Sequence, residues 1–152
     1  MKVLLATDGT KHSKAAVETI GNLKLSDGDE IKVVTVIDMA IPTGIDMYAG
    51  YVPNTVELEK AVRENAEKTV EDTSKLIAES VANEKITVVS DILIGSPESR
   101  IVECAEEYQA DLVVVGSHGY NRWERLLLGS VSDSVVHHAP CSVLVVRTQS
   151  ED

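Results

Sequence analysis

The sequence predicts a single α/β domain: a doubly wound, five-stranded parallel sheet with helices on both faces. Two observations carry that reading, five short runs rich in valine, isoleucine and leucine, and a helical pattern in each gap between them. Near-continuous apolar runs suit strands covered on both faces. Their alternation with helices makes right-handed crossovers into a parallel sheet the economical arrangement. At 152 residues the chain has the length of one ordinary domain, enough to close a single core without staples. Residues 1–152 are therefore expected to form one unit.

The first strand is expected at Val3–Thr7 (VLLAT). Thr10 is placed to cap a first helix in which Ala16, Ile20 and Leu23 share a face, with Gly21 and Gly28 punctuating its exit. The second strand runs Ile31–Ile37. From Asp38 to Asn54 the pattern breaks, with two prolines, two glycines and apolar residues of no fixed period. This stretch, 38–54, reads as a flexible loop of a length more often functional than idle. Its Met39, Ile41, Tyr48 and Tyr51 suit a cover over a ligand and a packing surface equally.

Thr55 to Asn83 is the longest helix candidate, with Leu58, Val62, Ala66, Val70, Ile77 and Val81 near one stripe and Glu64/Lys68 and Glu71/Lys75 as solvated pairs. A third strand follows at Ile86–Ile94, and Pro97 at a first helical position opens a third helix through Ile101, Val102 and Ala105. The fourth strand is Leu112–Val115. Ser130 or Ser132 opens a fourth helix that must end before Pro140, and Ser142–Val146 is the last strand.

Composition narrows the function. The balance of 14 basic against 25 acidic residues gives −11, which opposes non-specific binding to nucleic acid or anionic lipid, so no nucleic-acid partner is expected. No apolar run approaches the roughly 20 residues that span a bilayer, and the opening MKVLLATDG is apolar only from Val3 to Ala6. No membrane insertion and a cytoplasmic location are therefore expected. Cys104 and Cys141 lack any CxxC or metal spacing and read as buried thiols. His137 and His138 are adjacent, so on a helix they diverge by about 100° and do not form a metal pair.

Open α/β sheets bind ligands beyond the carboxyl ends of their strands, so the informative residues follow strands. The first strand ends in Thr7, Asp8, Gly9 and Thr10; the fourth runs into Gly116, Ser117, His118 and Gly119, and after nine intervening residues come Gly129 and Ser130 at a helix start. Glycines permit positive φ and close approach of backbone to ligand, and the first free N–H groups of a helix favour an anion. Together they describe a phosphate cradle. Neither GxxxxGK[ST] nor GxGxxG after a strand is present, so the two best-known cradles do not apply.

With G-x-x-G-x9-G-S at Gly116, Gly119, Gly129 and Ser130, the chain resembles the universal stress protein family, specifically its ATP-binding branch. VLLATDGT, TVID, LVVVGSHG and APCSVLVV extend the resemblance over nearly the whole chain; Ala6 departs from it where many relatives have proline. The resemblance implies a Rossmann-like, adenine nucleotide alpha hydrolase-like domain that binds ATP with Mg2+ or Mn2+ and dimerises through its C-terminal strand. It places Thr7 and Asp8 near ribose, phosphates and metal, with Asp8 as the metal ligand, and Val36 against adenine through its backbone. It places Gly116, Gly119 and Gly129 around ribose and phosphates, and gives Ser130, Val131 and Ser132 to the phosphates. His118 and Arg122 lie inside the motif, where ligand contact and solvated loop are both open readings.

Each residue also has a plainer reading. Asp8 suits a turn or helix cap, Gly116 and Gly119 suit strand-end turns, and Ser130 suits an N-cap. The function implied is a nucleotide-dependent regulatory switch acting through a protein partner. The alternatives are a slow ATPase and an interaction module of the same family without nucleotide. A hydrolase using Ser117 or Ser130 fares poorly, because no GxSxG elbow exists.

Overall fold

A computed structural model describes residues 1–38, 55–117 and 128–147. The elements alternate as expected: β1 (Lys2–Ala6), α1 (Lys11–Gly21), β2 (Glu30–Ile37), α2 (Thr55–Ser80), β3 (Thr87–Ile94), α3 (Pro97–Tyr108), β4 (Leu112–Gly116), α4 (Ser130–His138) and β5 (Ser142–Val146). The five strands pair in parallel in the order β3-β2-β1-β4-β5. The chain thus winds outward from β1 to β3, then crosses to the other side of β1 for β4 and β5. The doubly wound sheet is the fold the sequence predicts.

Strand alternation sorts the core into two layers. On one face Val3, Leu5, Ile31 and Val33 pack with Ala16, Val17 and Ile20 of α1 and Val70 and Ile77 of α2. On the other, Leu4, Val34, Val113 and Val115 pack with Ile101, Cys104 and Ala105 of α3 and Val135 of α4. Gly21 lets α1 close on α2: a Cβ there would stand 3.1 Å from the Ser80 Cβ and 3.2 Å from the Ser80 carbonyl oxygen.

Three expectations need correction. Coverage on both faces holds for β1 but not for β3, an edge strand whose Val89 and Ile94 are 38% and 46% exposed. The apolar stripe of α2 buries only from Ala66 through Val70, Thr73 and Ile77; Leu58 and Val62 are 57% and 39% exposed. Glu64 pairs with Lys60 at 3.8 Å rather than with Lys68, whereas Lys75 pairs with Glu71 at 2.6 Å as expected. Cys104 is buried and Cys141 partly so, both are free, and burial pushes both thiols up from their ordinary pKa. The loop expected at 38–54 lies, apart from Asp38, outside the described residues. Among the described residues no helix is long and apolar enough to cross a membrane.

The two ends of α2 should respond differently to truncation. Ile77 is 0% exposed, so Ile77→Ala should cost about 2–5 kcal/mol. Leu58→Ala should stay within about 0.5 kcal/mol. Urea denaturation of both variants measures the contrast.

Candidate functional site

β1 stops pairing at Ala6, and its last link to β2 is the Thr7 amide donating to the Val34 carbonyl at 2.9 Å. The chain then turns out of the sheet through Gly9, whose φ of +77° favours glycine and whose absent side chain leaves room for Thr69. Asp8 organises this turn. Its Oδ1 accepts from the Thr10 amide (3.0 Å), the Thr10 hydroxyl (2.7 Å) and the Ser13 hydroxyl (2.9 Å). The Asp8 amide in turn donates to Ser13 Oγ at 3.2 Å. Thr10 does occupy the N-cap position of α1, but its side chain serves Asp8 and makes no cap bond. The turn-holding reading of Asp8 is therefore real, and it uses Oδ1; Oδ2 takes no part in that network.

Beyond Ala6 the neighbouring strands continue without a partner on the β1 side. In a parallel ladder, alternate residues direct N–H and C=O to the same side. The Val34 carbonyl bonds to β1 and the Ile37 carbonyl accepts from Gly95 on the β3 side at 3.0 Å, so Val36 directs both backbone groups toward the place where β1 has ended. Gly116 mirrors it on β4. Ser117 donates to the Val146 carbonyl of β5 at 2.8 Å, so Gly116 faces the same gap, where its carbonyl accepts from the Ser132 hydroxyl at 2.5 Å.

α4 begins against this gap. Gly129 is its N-cap, with φ −59° and ψ 152°, so the positive φ expected of this glycine is not what it supplies. Its amide donates to the Ser117 carbonyl at 3.0 Å, and its carbonyl accepts from Asp133 at 2.9 Å. The amides of Ser130, Val131 and Ser132 precede that first intrahelical bond and carry the positive end of the helix dipole. Ser130 is the first helical residue rather than the cap. Ser132, 5% exposed, donates its hydroxyl to the Gly116 carbonyl, and its amide is among the three that precede the first intrahelical bond.

These ends enclose a cleft of about 180 Å3 lined by Ala6–Asp8, Val34–Val36, Val115, Gly116, Val131 and Ser132, with Pro97 and Ile101 of α3 closing its side. Of the residues expected from sequence, the structure brings together Thr7, Asp8, Val36, Gly116, Val131 and Ser132, with Gly129 and Ser130 adjoining. His118, Gly119 and Arg122 lie outside the described residues. Ser13, Pro97 and Ile101 were not anticipated; the one signal for Ser13 was a small polar residue on a helix face otherwise bound for the core. A second groove of about 250 Å3 separates α1 from α2, lined by Lys14, Lys68 and Asp72 among others, away from the strand ends. Among the described residues no group of three or more His, Cys, Asp or Glu could hold a metal ion. A cation at Asp8 would have to draw further oxygens from a bound ligand.

A parallel sheet with an anion-receptive helix start at its switch point defines a class of small α/β proteins with a cleft at the strand ends. Within it, residues 1–147 match the universal stress protein family, and the chain belongs to that family. A putative universal stress protein of Staphylococcus aureus strain USA300 is 33% identical over 150 residues, covering 97% of this chain and 84% of that protein. The structure of hypothetical protein MJ0577 superposes with a TM-score of 0.80 at 26% identity, over 99% of this chain and 97% of its own. A universal stress protein solved in complex with cAMP gives a TM-score of 0.70 at 25% identity, over 98% of each chain.

Proposed function

We propose that this protein binds ATP together with Mg2+ or Mn2+ and works in the cytoplasm as a nucleotide-dependent switch that acts through a protein partner. One observation carries the reading: the unpaired backbone of Val36 and the free amides at the start of α4 open onto one cleft. An adenine edge presents a donor beside an acceptor, which an N–H and a C=O two positions past the end of a ladder can meet. The amides of Ser130, Val131 and Ser132 suit phosphate oxygens, and in a chain of net charge −11 such local groups must hold the anion. Gly116 and Gly129 keep side chains away from the ribose and phosphates. His118, Gly119 and Arg122 complete the motif by their spacing. Asp8 Oδ2 is the oxygen available to the cation, a hard ligand beside a polyanion. The relative solved with cAMP supports an adenine nucleotide as the ligand class.

The same reading includes a homodimer. β5 is the sheet's outer strand beyond β4, and its Val143, Leu144 and Val145 are only partly buried. An apolar edge of this kind invites pairing with a second copy.

Gly129 has a backbone conformation that any residue adopts. Gly129→Val should therefore leave the fold intact and abolish ATP binding, because the new side chain stands before the α4 amides. Ser130→Ala should do less, with a loss of roughly tenfold to hundredfold for one hydrogen bond to a charged group. Titration calorimetry measures both, and folded Gly129→Val protein that binds ATP like the parent would remove the main support for the reading. Asp8→Asn keeps an Oδ1 acceptor for the turn while removing the charge, so ATP affinity should fall chiefly when the metal is present. An unchanged metal dependence in that variant would reduce Asp8 to a turn residue. Light scattering at micromolar concentration should report a dimer; monomer alone, with and without ATP, would exclude pairing through β5.

A further inference from the structure

The groove of about 250 Å3 between α1 and α2 shares Ser13 with the cleft but none of its strand ends. Lys14 of α1 and Lys68 of α2 both line it, and neither has an ion-pair partner among the described residues. Carboxylates are at hand for both: Glu18 lies four residues after Lys14, and Glu64 and Asp72 flank Lys68 at the same spacing. Glu ahead of Lys is the favoured order for a helical pair, yet Glu64 bonds to Lys60 instead. On the same helix Glu71 does hold Lys75, at 2.6 Å. The groove wall carries a second, independent feature. Thr73 is 6% exposed, and its hydroxyl has no partner among the described residues. A helical hydroxyl commonly donates to the carbonyl one turn back, as those of Thr19, Thr69 and Ser80 do at 2.8, 2.9 and 2.7 Å. The Thr73 hydroxyl does not, and it is not one of the polar atoms sealed in the core, so it opens onto the groove. A hydroxyl set that deep without a partner carries a cost that a bound oxygen would offset.

We propose that this groove is a second ligand site, for a small phosphorylated metabolite that also carries hydroxyl groups. A phosphate monoester bears about two negative charges at neutral pH, which the Lys14 and Lys68 ammonium groups balance as point charges while Thr73 donates to one of its oxygens. A carboxylate, with a single charge, would leave one lysine unanswered. Asn65 and Asp72 on the same wall serve the hydroxyl groups, Asp72 as an acceptor only. The chain's net charge of −11 repels anions from its surface at large, so capture here depends on the local pair of lysines. The site stands whatever occupies the cleft.

The probe is α-glycerophosphate, with glycerol as its control, titrated by calorimetry into the whole chain and into Gly129→Val, whose new side chain stands before the α4 amides of the cleft. The same titrations follow with Lys14→Met, Lys68→Met or Thr73→Val added to Gly129→Val. The parent and Gly129→Val should both bind the phosphate, more weakly as salt rises, and neither should bind glycerol. Each lysine substitution should weaken binding by about tenfold or more, the effect of losing one hydrogen bond to a charged group. Thr73→Val should weaken it by less. Lys14 and Lys68 are exposed, so their variants keep the fold and the test does not hang on Thr73→Val. Undiminished binding in both lysine variants overturns the site, as does an absence of binding by the parent and Gly129→Val at millimolar probe. Binding by the parent that Gly129→Val abolishes puts the phosphate in the cleft and overturns the groove as its site, while glycerol binding as tightly as its phosphate overturns the ligand class.

Discussion

The site depends on β1 being too short. It is the central strand, yet its ladder ends at Ala6 opposite Val34 on β2 and at Leu5 opposite Val114 on β4. Both neighbours run on, β2 to Ile37 and β4 to Gly116. A buried backbone group without a partner is costly, so a sheet that stops early in its middle must supply substitutes or leave them to a ligand. On one side of the gap the structure supplies the substitute. At Gly116 the Ser132 hydroxyl substitutes for the missing strand. At Val36 no described residue does. The cleft is the volume β1 would have filled had it continued.

What turns the chain away at that point is the Asp8 turn, and its construction explains why a carboxylate belongs there. Three donors converge on a single oxygen, two from Thr10 and one from Ser13. An ionised acceptor makes such bonds stronger than a neutral one would. The turn therefore sets the Asp8 carboxylate at the cleft, beside the Thr7 and Ser13 hydroxyls. Against that charge stand only helix amides among the described residues of the cleft.

The sheet was legible because each strand announces itself by a short Val/Ile/Leu run, and the last of them, Ser142–Val146, matches the structure residue for residue. That the last strand forms one edge was legible, but that β3 forms the other was not, since β3 carries the same apolar content as an interior strand and its exposure follows from strand order alone. The α2 stripe failed at Leu58 and Val62 for a related reason: periodicity marks a face but does not say where the surface that covers it begins. At the site, glycine spacing marked the turns, because backbone demands leave a local trace. Ser13 left only a small polar residue on a core-bound helix face, as its partner is fixed only when the helix start meets the Asp8 turn.

Gly9 and Gly129 show how one residue type meets two different demands. At Gly9 the backbone is left-handed, with φ +77°, and a Cβ would stand 3.2 Å from the Thr69 hydroxyl oxygen of α2. Both facts bear on the fold, so a side chain there strains the turn before any ligand arrives. At Gly129 the torsions suit every residue, and the backbone is held from both sides by Ser117 and Asp133. Neither torsion nor hydrogen bonding asks for glycine. Its place before the Ser130, Val131 and Ser132 amides is where the proposed phosphates would lie. A glycine with no conformational reason to be one is thus an argument for a ligand drawn from the protein's own backbone.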